Sequence, residues 1–405
     1  MRKQILFSTG TTISRALSGL VLIFILSRFL SVEFFGVFTY SLVVAAFFVL
    51  VVDYGFDLQL SRDTALESKN ISRCVTTAAR LKFILVPVAP VALFFFVWTG
   101  VVPETDVSVI LVLILAQTAF SFQKIFLVPY RSVQNYRFEF TFSIVSEASL
   151  LLFCLFAMIY HANVFNISVA FCASRVASAF LAAVLFHKHF RFKIVSIKFL
   201  NQMRNGFPFF VHLALASIYL SIDTLIMRNY VSTFDLGIYQ AGIRAMIAAC
   251  LLASISQNVI LPHLARLLND TVHFRREARK YLIYTNLLGG IIALLVWWFK
   301  TPLITMVFGS NFSPLEAVVP HFAAIIFLRY QGSYYGVFLT LQGEQGKRAV
   351  AVALTVLLVI VFDLWAIPRY GIQGAATVLL GAHIFLNSIY IFFRYNTSPK
   401  QPYQA

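Results

Sequence analysis

Four arginines stand inside long apolar stretches of this 405-residue chain: Arg15, Arg175, Arg244 and Arg329. A guanidinium stays charged at any working pH and presents a planar fork of donors that fits phosphate. At the centre of a membrane helix each costs roughly 2.5–3.5 kcal/mol on insertion scales. Four of them facing lipid would cost on the order of 10–14 kcal/mol, comparable with a whole domain's stability of about 5–15 kcal/mol. Arg15, nearest the cytoplasmic end of its run, can snorkel. The other three sit deeper, where water and an anion are the natural surroundings. Small polar residues recur with each arginine at helical spacing: Thr11 and Ser18 with Arg15, Ser168 and Cys172 with Arg175, Gly237, Gln240 and Ala248 with Arg244, and Ser333, Gly336 and Thr340 with Arg329. Such stripes also let helices pack closely. Four that each carry an arginine point to one shared, hydrated, cationic cavity.

Acidic residues in or near the same stretches are Asp53, Glu147, Asp223 and Asp363. Each either neutralises an arginine or binds a coupling proton or sodium ion. Asp53 and Asp363 lie near the outer ends of their spans, where interfacial solvation is expected. Glu147 and Asp223 lie deeper and are the stronger coupling candidates. His212, His321 and His383 read as hydrogen-bonded packing residues before proton relays. Tyr219, Tyr330, Tyr334 and Tyr335 can stack on sugar rings, though packing is the commoner role for such residues. There is no Gly-rich phosphate loop, no HExxH and no Cys/His cluster with ligand spacing. Cys74, Cys154, Cys172 and Cys250 read as free thiols. The expectation is therefore a protein without catalytic residues, metal centre or cofactor, other than a coupling H+ or Na+.

The elements that must hold these residues are spanning helices. The chain is 60% hydrophobic and only 12% charged, with mean hydropathy +0.83. A soluble domain has roughly 45–50% apolar and about 25% charged residues, so lipid must be the solvent here. Stretches of about 20 apolar residues fall at 8–30, 35–52, 80–100, 107–128, 139–160, 164–186, 207–227, 236–260, 282–299, 317–340, 349–367 and 372–393. The first carries Arg15 and no small-residue cleavage site, which makes it a retained span and not a signal peptide. Pro87 and Pro90 on the third span and Gly289-Gly290 on the ninth are candidate kinks. With the N-terminus inside, cytoplasmic segments hold 24 Lys and Arg, and the opposite side holds four, Arg28, Arg228, Lys300 and Arg369. This six-fold bias obeys the positive-inside rule and puts both termini in the cytoplasm. It also accounts for the net charge of +16 by attraction to anionic headgroups, so no nucleic acid is expected as a partner.

The chain reads as two copies of one six-helix unit, an N-terminal lobe 1–200 and a C-terminal lobe 201–405. Leu30-Ser31-Val32-Glu33-Phe34-Phe35-Gly36-Val37-Phe38 aligns without a gap on Val231-Ser232-Thr233-Phe234-Asp235-Leu236-Gly237-Ile238-Tyr239. Each segment joins the first and second helices of its half. Six is even, so both halves run the same way through the membrane, as in parallel repeats.

Several segments, taken in order, resemble the polysaccharide-repeat flippases of the Wzx type. They are Ser27-Arg28-Phe29-Leu30 with Phe35-Gly36, Asp53-Tyr54-Gly55-Phe56 with Ser61-Arg62, Gly206-Phe207-Pro208-Phe209-Phe210, Ile222-Asp223, Leu236-Gly237-Ile238-Tyr239, Leu261-Pro262, Phe308-Gly309, and Tyr370-Gly371-Ile372-Gln373-Gly374-Ala375-Ala376. These flippases share the MOP exporter superfamily with multidrug antiporters and the lipid II flippase. The resemblance spans nearly the whole chain. It implies an all-α membrane protein of about 12 helices, in two six-helix lobes around a central cavity that opens alternately to each side. It also implies a substrate of undecaprenyl-pyrophosphate carrying an oligosaccharide, an O-antigen or related repeat unit of lipopolysaccharide or other surface polysaccharide. The setting would be the bacterial inner membrane and its lipids, with a monomer working beside polysaccharide polymerase and chain-length proteins. In the lipid II flippase, arginines on the first and eighth helices line the cavity, and Arg15 and Arg244 stand on the matching helices. That relative also has an arginine on its second helix, which 35–52 lacks. A MATE-like antiporter of small cations is the first alternative. Bacterial multidrug relatives use an acidic residue on the first helix, and 8–30 has none. A polymerase or ligase is the second, and its usual large outer loop is missing.

Overall fold

A computed structural model describes residues 2–66, 70–160, 162–193, 199–268 and 270–396. Lys69, Lys198 and Lys400, three of the charges counted as cytoplasmic, lie outside the described residues. The chain divides into two compact units, Met1–Ile218 and Tyr219–Ala405. The first holds α1 (Arg2–Phe29), α2 (Val32–Asp53), α3 (Phe56–Leu66), α4 (Ile71–Leu85), α5 (Val88–Trp98), α6 (Val107–Ser132), α7 (Tyr136–Tyr160), α8 (Val164–Phe190) and most of α9 (Phe199–Met227). The second holds the end of α9, then α10 (Thr233–Ala249), α11 (Leu251–Ala265), α12 (Thr271–Trp298), α13 (Lys300–Val307), α14 (Val319–Leu341) and α15 (Gln345–Asn396). Helices are the expected form because lipid offers no partner to an open backbone N–H or C=O.

Among the described residues, ten stretches are long and apolar enough to cross a bilayer, and a pair bent by 68°, Ser310–Ala317 with Val319–Leu341, makes an eleventh. α15 has 52 residues, about 78 Å at 1.5 Å per residue, more than twice the ~30 Å hydrocarbon core. It is two arms broken at Gly371, where φ is 55° and ψ −133°, a conformation that a side chain strains to adopt. Counting both arms gives the twelve crossings expected from hydropathy.

In the first unit, α6 is central and packs on α8, α2, α3 and α4, while α1 lies along α7. Ile125, Phe126, Phe142 and Phe186 belong to one apolar core cluster of this unit. In the second, α14 packs on α12, α15 and α11, around Tyr281, Tyr334, Val337 and Leu339. Outward faces are greasy. Phe180 is 71% and Leu294 61% exposed, apolar surface that suits contact with lipid. The four tryptophans, Trp98, Trp297, Trp298 and Trp365, are all exposed and stand at or near helix ends or breaks, as an interfacial belt does.

The repeat seen in the sequence has a structural counterpart. Ser31 caps α2 by accepting the Phe34 N–H, and Ser232 caps α10 by accepting the Asp235 N–H, with nearly equal backbone angles (φ −65°, ψ 163° and φ −64°, ψ 157°). Two expectations on helix breaks need correction. The third span does break at Pro87, between α4 and α5, but Gly289-Gly290 does not break α12. Gly289 instead admits the Tyr330 ring, whose Cβ would lie 2.6 Å from any side chain at that position. Conversely, the stretch expected as one eighth span, 236–260, is interrupted at Cys250 between α10 and α11. The Ala249 carbonyl freed there accepts the Tyr330 hydroxyl at 2.9 Å.

Candidate functional site

In the first unit Arg15 and Arg175 join a ladder of charges along α1, α6, α7 and α8. Arg175 places Nη1 and Nη2 on the two oxygens of Glu147, at 2.9 and 3.2 Å, and its guanidinium lies over the Phe120 ring, 4.4 Å from the centroid. The Ser18 hydroxyl donates to the same carboxylate at 2.9 Å. One turn away, Arg15 donates Nη2 to the Ser143 hydroxyl at 2.9 Å and stands 3.9 Å from Glu139. Glu139 is already held by Arg131, at 2.7 and 2.5 Å. Three guanidinium groups therefore share two carboxylates, which leaves one positive charge in surplus. Arg15 Nε is buried without a hydrogen-bond partner. The Thr11–Arg15–Ser18 and Ser168–Cys172–Arg175 stripes thus face neighbouring helices, with Thr11, Ser18, Ser168 and Cys172 all under 9% exposed.

A second network escaped the sequence reading. Lys82, fully buried, places Nζ 2.8 Å from Asp53 and 3.0 Å from Asp57, and Lys124 places Nζ 3.0 and 2.8 Å from the other oxygens of the same two acids. Ser121 accepts from Lys82 at 2.7 Å and donates to Asp53. The quartet ties α2, α3, α4 and α6 together with no net charge. Two expectations are corrected by it. Asp53 is a shared ion-pair acceptor and not an interfacially solvated end, and Lys82 and Lys124 belong to the helical interior instead of cytoplasmic loops. The signal was available as a lysine embedded in Leu81-Lys82-Phe83-Ile84-Leu85.

The Asp53-Tyr54-Gly55-Phe56 segment folds for a local reason. Tyr54 and Gly55 both take positive φ, 42° and 73°, which turns the chain sharply from α2 into α3. A Cβ on Gly55 would meet the Cβ of Phe209 at 2.5 Å, its carbonyl carbon at 2.7 Å and the nitrogen of Phe210 at 2.9 Å. Tyr54 stacks on Phe210, with centroids 4.8 Å apart. Two segments far apart in sequence, 53–56 and 206–210, are thus shaped for each other and bring Asp53 and Asp57 to the lysines.

In the second unit the cations are less satisfied. Arg244, on α10, is half-buried, with Nε out of solvent and no hydrogen bond or ion pair among the described residues. Arg329, on α14, has Nη1 buried without a partner and lies within electrostatic reach of Cys250 at the α10–α11 break. Its field reaches Tyr219 and His383. His383 meets the Leu379 carbonyl at 2.9 Å, and His321 meets Thr377 at 3.2 Å, while His212 is exposed. Ser333 and Thr340 of the Arg329 stripe bond Tyr281 and Arg348. Among the aromatics, Tyr219 is 8% and Tyr330 0% exposed.

The acids separate in the same way. Asp223, 3% exposed, accepts from the Tyr239 hydroxyl and from the Thr224 N–H at 2.6 Å. Asp363 is fully buried, and neither carboxyl oxygen has a partner. It lies within electrostatic reach of Asp223, and neither of these two buried acids has an ion-pair partner among the described residues. Asp363 is therefore not solvated at an interface, as its position near a span end suggested. No cluster of three or more metal-ligating residues occurs among the described residues.

Residues 1–268 match the family model described as polysaccharide biosynthesis protein. The capsular polysaccharide biosynthesis protein CapF of Staphylococcus aureus is 20% identical over 97% of this chain and 99% of its own length. Among solved structures, the lipid II flippase MurJ in an inward closed conformation superposes with a TM-score of 0.74 at 15% identity, covering 97% of this chain and 88% of that one. The MATE multidrug transporter DinF-BH superposes at 0.69 and 14% identity, covering 98% and 95%. These likenesses establish the helical architecture.

Proposed function

Because the chain belongs to the polysaccharide biosynthesis protein family, we propose that it is a flippase for a polyprenyl-diphosphate-linked oligosaccharide. The headgroup would cross from the cytoplasmic to the outer leaflet while the hydrocarbon tail stays in lipid. The lipid II flippase, whose fold this chain shares, and the capsular relative CapF both suit this reading. The observation that carries it is the set of buried guanidinium nitrogens left without partners on Arg15, Arg244 and Arg329. Buried donors cost roughly 1–3 kcal/mol each when unmade, more on a charged group, and a diphosphate supplies acceptors for them. Arg175, committed to Glu147, serves in this scheme to position the ladder on which Arg15 stands. The family description, with CapF as relative, favours a capsular or similar surface polysaccharide over an O-antigen unit in particular. Polymerase and chain-length proteins would take the product on the far side, and a monomer suffices for the transport step.

The Asp223–Asp363 pair is the proposed coupling element. Two carboxylates in a dry site repel one another unless a proton or a monovalent cation lies between them. Exchange of that ion with the outside would bias the cycle, and H+ or Na+ is the natural choice. A small-cation antiporter would use the same acids but place no demand on the arginines, and this separates the two readings.

The test replaces Arg15, Arg244 and Arg329 singly with Ala and with Lys, and follows surface polysaccharide together with lipid-linked repeat units held in the inner leaflet. Each Ala variant should lose export by about tenfold or more, with partial rescue by Lys, since one charge-assisted bond contributes roughly 1.5–3 kcal/mol. Normal polysaccharide in all three Ala variants, at normal protein levels, overturns the phosphate role. Altered drug resistance with unaltered polysaccharide assigns the antiporter instead.

A further inference from the structure

Two basic residues on α4 point to opposite sides of the helix. Lys82 is buried in the quartet with Asp53 and Asp57. Arg80, two positions earlier and so about 200° around the axis, is exposed. It borders a cavity of about 530 Å³ that the ladder and the quartet do not use, within the ~300–1,000 Å³ range of ligand pockets. The α4 wall of this cavity is ordered. Thr76 and Arg80 lie toward the end that the Lys/Arg count assigns to the cytoplasm, and Phe83 and Ile84 follow toward the bilayer centre, 74% and 52% exposed.

The facing wall repeats the order with a second cation. Phe192 and Lys193 line it, just after α8, and Phe122 of α6 completes it. This wall is fixed in place. The Lys193 N–H donates to the Thr76 hydroxyl at 3.2 Å, the Ser72 hydroxyl donates to the Phe190 carbonyl at 2.5 Å, and Phe192 packs edge-on against Phe186 and Phe126. Among the described residues that line the cavity, none is acidic. A site that is cationic at the headgroup level and aromatic one turn deeper suits an amphiphile with a negatively charged head. It does not suit a peptide, which would leave its backbone unpaired in hydrocarbon.

We propose that this cavity is a binding site for an anionic phospholipid of the cytoplasmic leaflet. The phosphate sits between Arg80 and Lys193, and one hydrocarbon chain lies over Phe83, Ile84, Phe122 and Phe192. The bound lipid would brace α4 against the stretch after α8, on the outer side of the helix whose inner side carries Lys82. The site stands whether or not the transport reading is right, because it uses none of the arginines assigned to the substrate.

Native mass spectrometry of the full chain, released from vesicles of equal phosphatidylglycerol and phosphatidylcholine, reads the site directly. The wild type should retain phosphatidylglycerol in preference to phosphatidylcholine. Retention should fall roughly tenfold in R80Q/K193Q, since each surface cation contributes a comparable share, and measurably in K193Q alone, which alters only the stretch after α8. The charge-matched R275Q/R276Q, with two exposed arginines of α12, should retain lipid as the wild type does. Equal loss in that control, unchanged retention in R80Q/K193Q, or equal retention of both lipids overturns the assignment. So does displacement of phosphatidylglycerol by equimolar undecaprenyl diphosphate, which would give the cavity to the substrate.

Discussion

Glu147 accepts both terminal nitrogens of Arg175, at 2.9 and 3.2 Å, and the Ser18 hydroxyl besides. This fork is what allows a guanidinium to stand in the middle of an apolar helix, and its two partners cannot be removed independently. Glu147→Gln strands a buried cation and should destabilise the protein by about 3–5 kcal/mol. Glu147→Leu with Arg175→Met removes both charges and should recover most of that loss, because a buried pair is often no more stable than apolar residues of similar volume. Thermal unfolding in detergent measures stability, and export of polysaccharide measures function. Recovery of both in the double variant would confine Arg175 to a supporting part. Recovery of stability without export would move it into the substrate path.

Gly55 holds a positive φ of 73° with Phe209 against its Cα. Gly55→Ala should therefore cost about 1–3 kcal/mol from backbone strain alone, with the clash added. The atoms that a new Cβ meets are the Cβ and carbonyl carbon of Phe209 and the nitrogen of Phe210. Trimming the ring by Phe209→Ala leaves all of these in place. The double variant should accordingly be no more stable than Gly55→Ala, as read by the unfolding midpoint.

The spans and the four arginines were legible in the sequence because hydropathy is local and an arginine in twenty apolar residues is conspicuous. Lys82 and Lys124 were misassigned for the same reason. Each stands at the edge of an apolar run, where a local reading sees a loop, and what draws them inward is Asp53 and Asp57 on other helices. The Cys250 break was equally hidden. Ala248-Ala249-Cys250-Leu251 contains neither proline nor glycine, and its stabilising bond comes from Tyr330, 81 residues away. The joining of Asp223 and Asp363 likewise depends on how α9 meets α15, which no periodicity encodes.

The unpartnered carboxyl of Asp363 gives the coupling proposal a sharp consequence. Asp363→Asn keeps the shape and removes the charge, so it should not destabilise the fold, and relief of repulsion with Asp223 should raise the unfolding midpoint. Export should fall several-fold and lose its dependence on the ion gradient. Asp223→Asn should lose stability instead, because the Tyr239 and Thr224 donors are then shared with a weaker acceptor. Transport assays in vesicles with imposed proton or sodium gradients distinguish the two ions. Unchanged gradient dependence in Asp363→Asn would remove this residue from coupling.

Asp270 supplies a pH dependence outside the spans. Its carboxylate caps α12, accepting the His273 N–H at 3.0 Å and meeting His273 Nδ1 at 2.6 Å. These bonds, the backbone one foremost, hold the carboxyl below its ordinary range. A depressed value means that the contribution is fully present above the unfolded pKa of about 3.9 and is lost as pH falls through the lower folded value. Amide exchange at His273 and Phe274 should therefore accelerate below about pH 4 beyond the intrinsic trend. In Asp270→Ala it should be fast throughout.

Tyr330 closes the gap that the Cys250 break opens. Its hydroxyl donates to the Ala249 carbonyl at 2.9 Å, in a place where lipid offers no alternative donor. Tyr330→Phe removes only that oxygen and leaves a half-buried carbonyl unsatisfied, a loss of about 1 kcal/mol. The ring still fills the notch that Gly289 leaves for it, so packing there should be unchanged. If the break is a joint on which α10 carries Arg244, loosening it should also spread the positions of that side chain and lower export by more than the loss of folded protein accounts for. A spin label at Ala248 reports the first effect as a broadened distance distribution to a second label on α14. An unfolding midpoint that drops while the label distribution and the export per folded molecule stay constant would make the Tyr330 bond a structural clasp and nothing more.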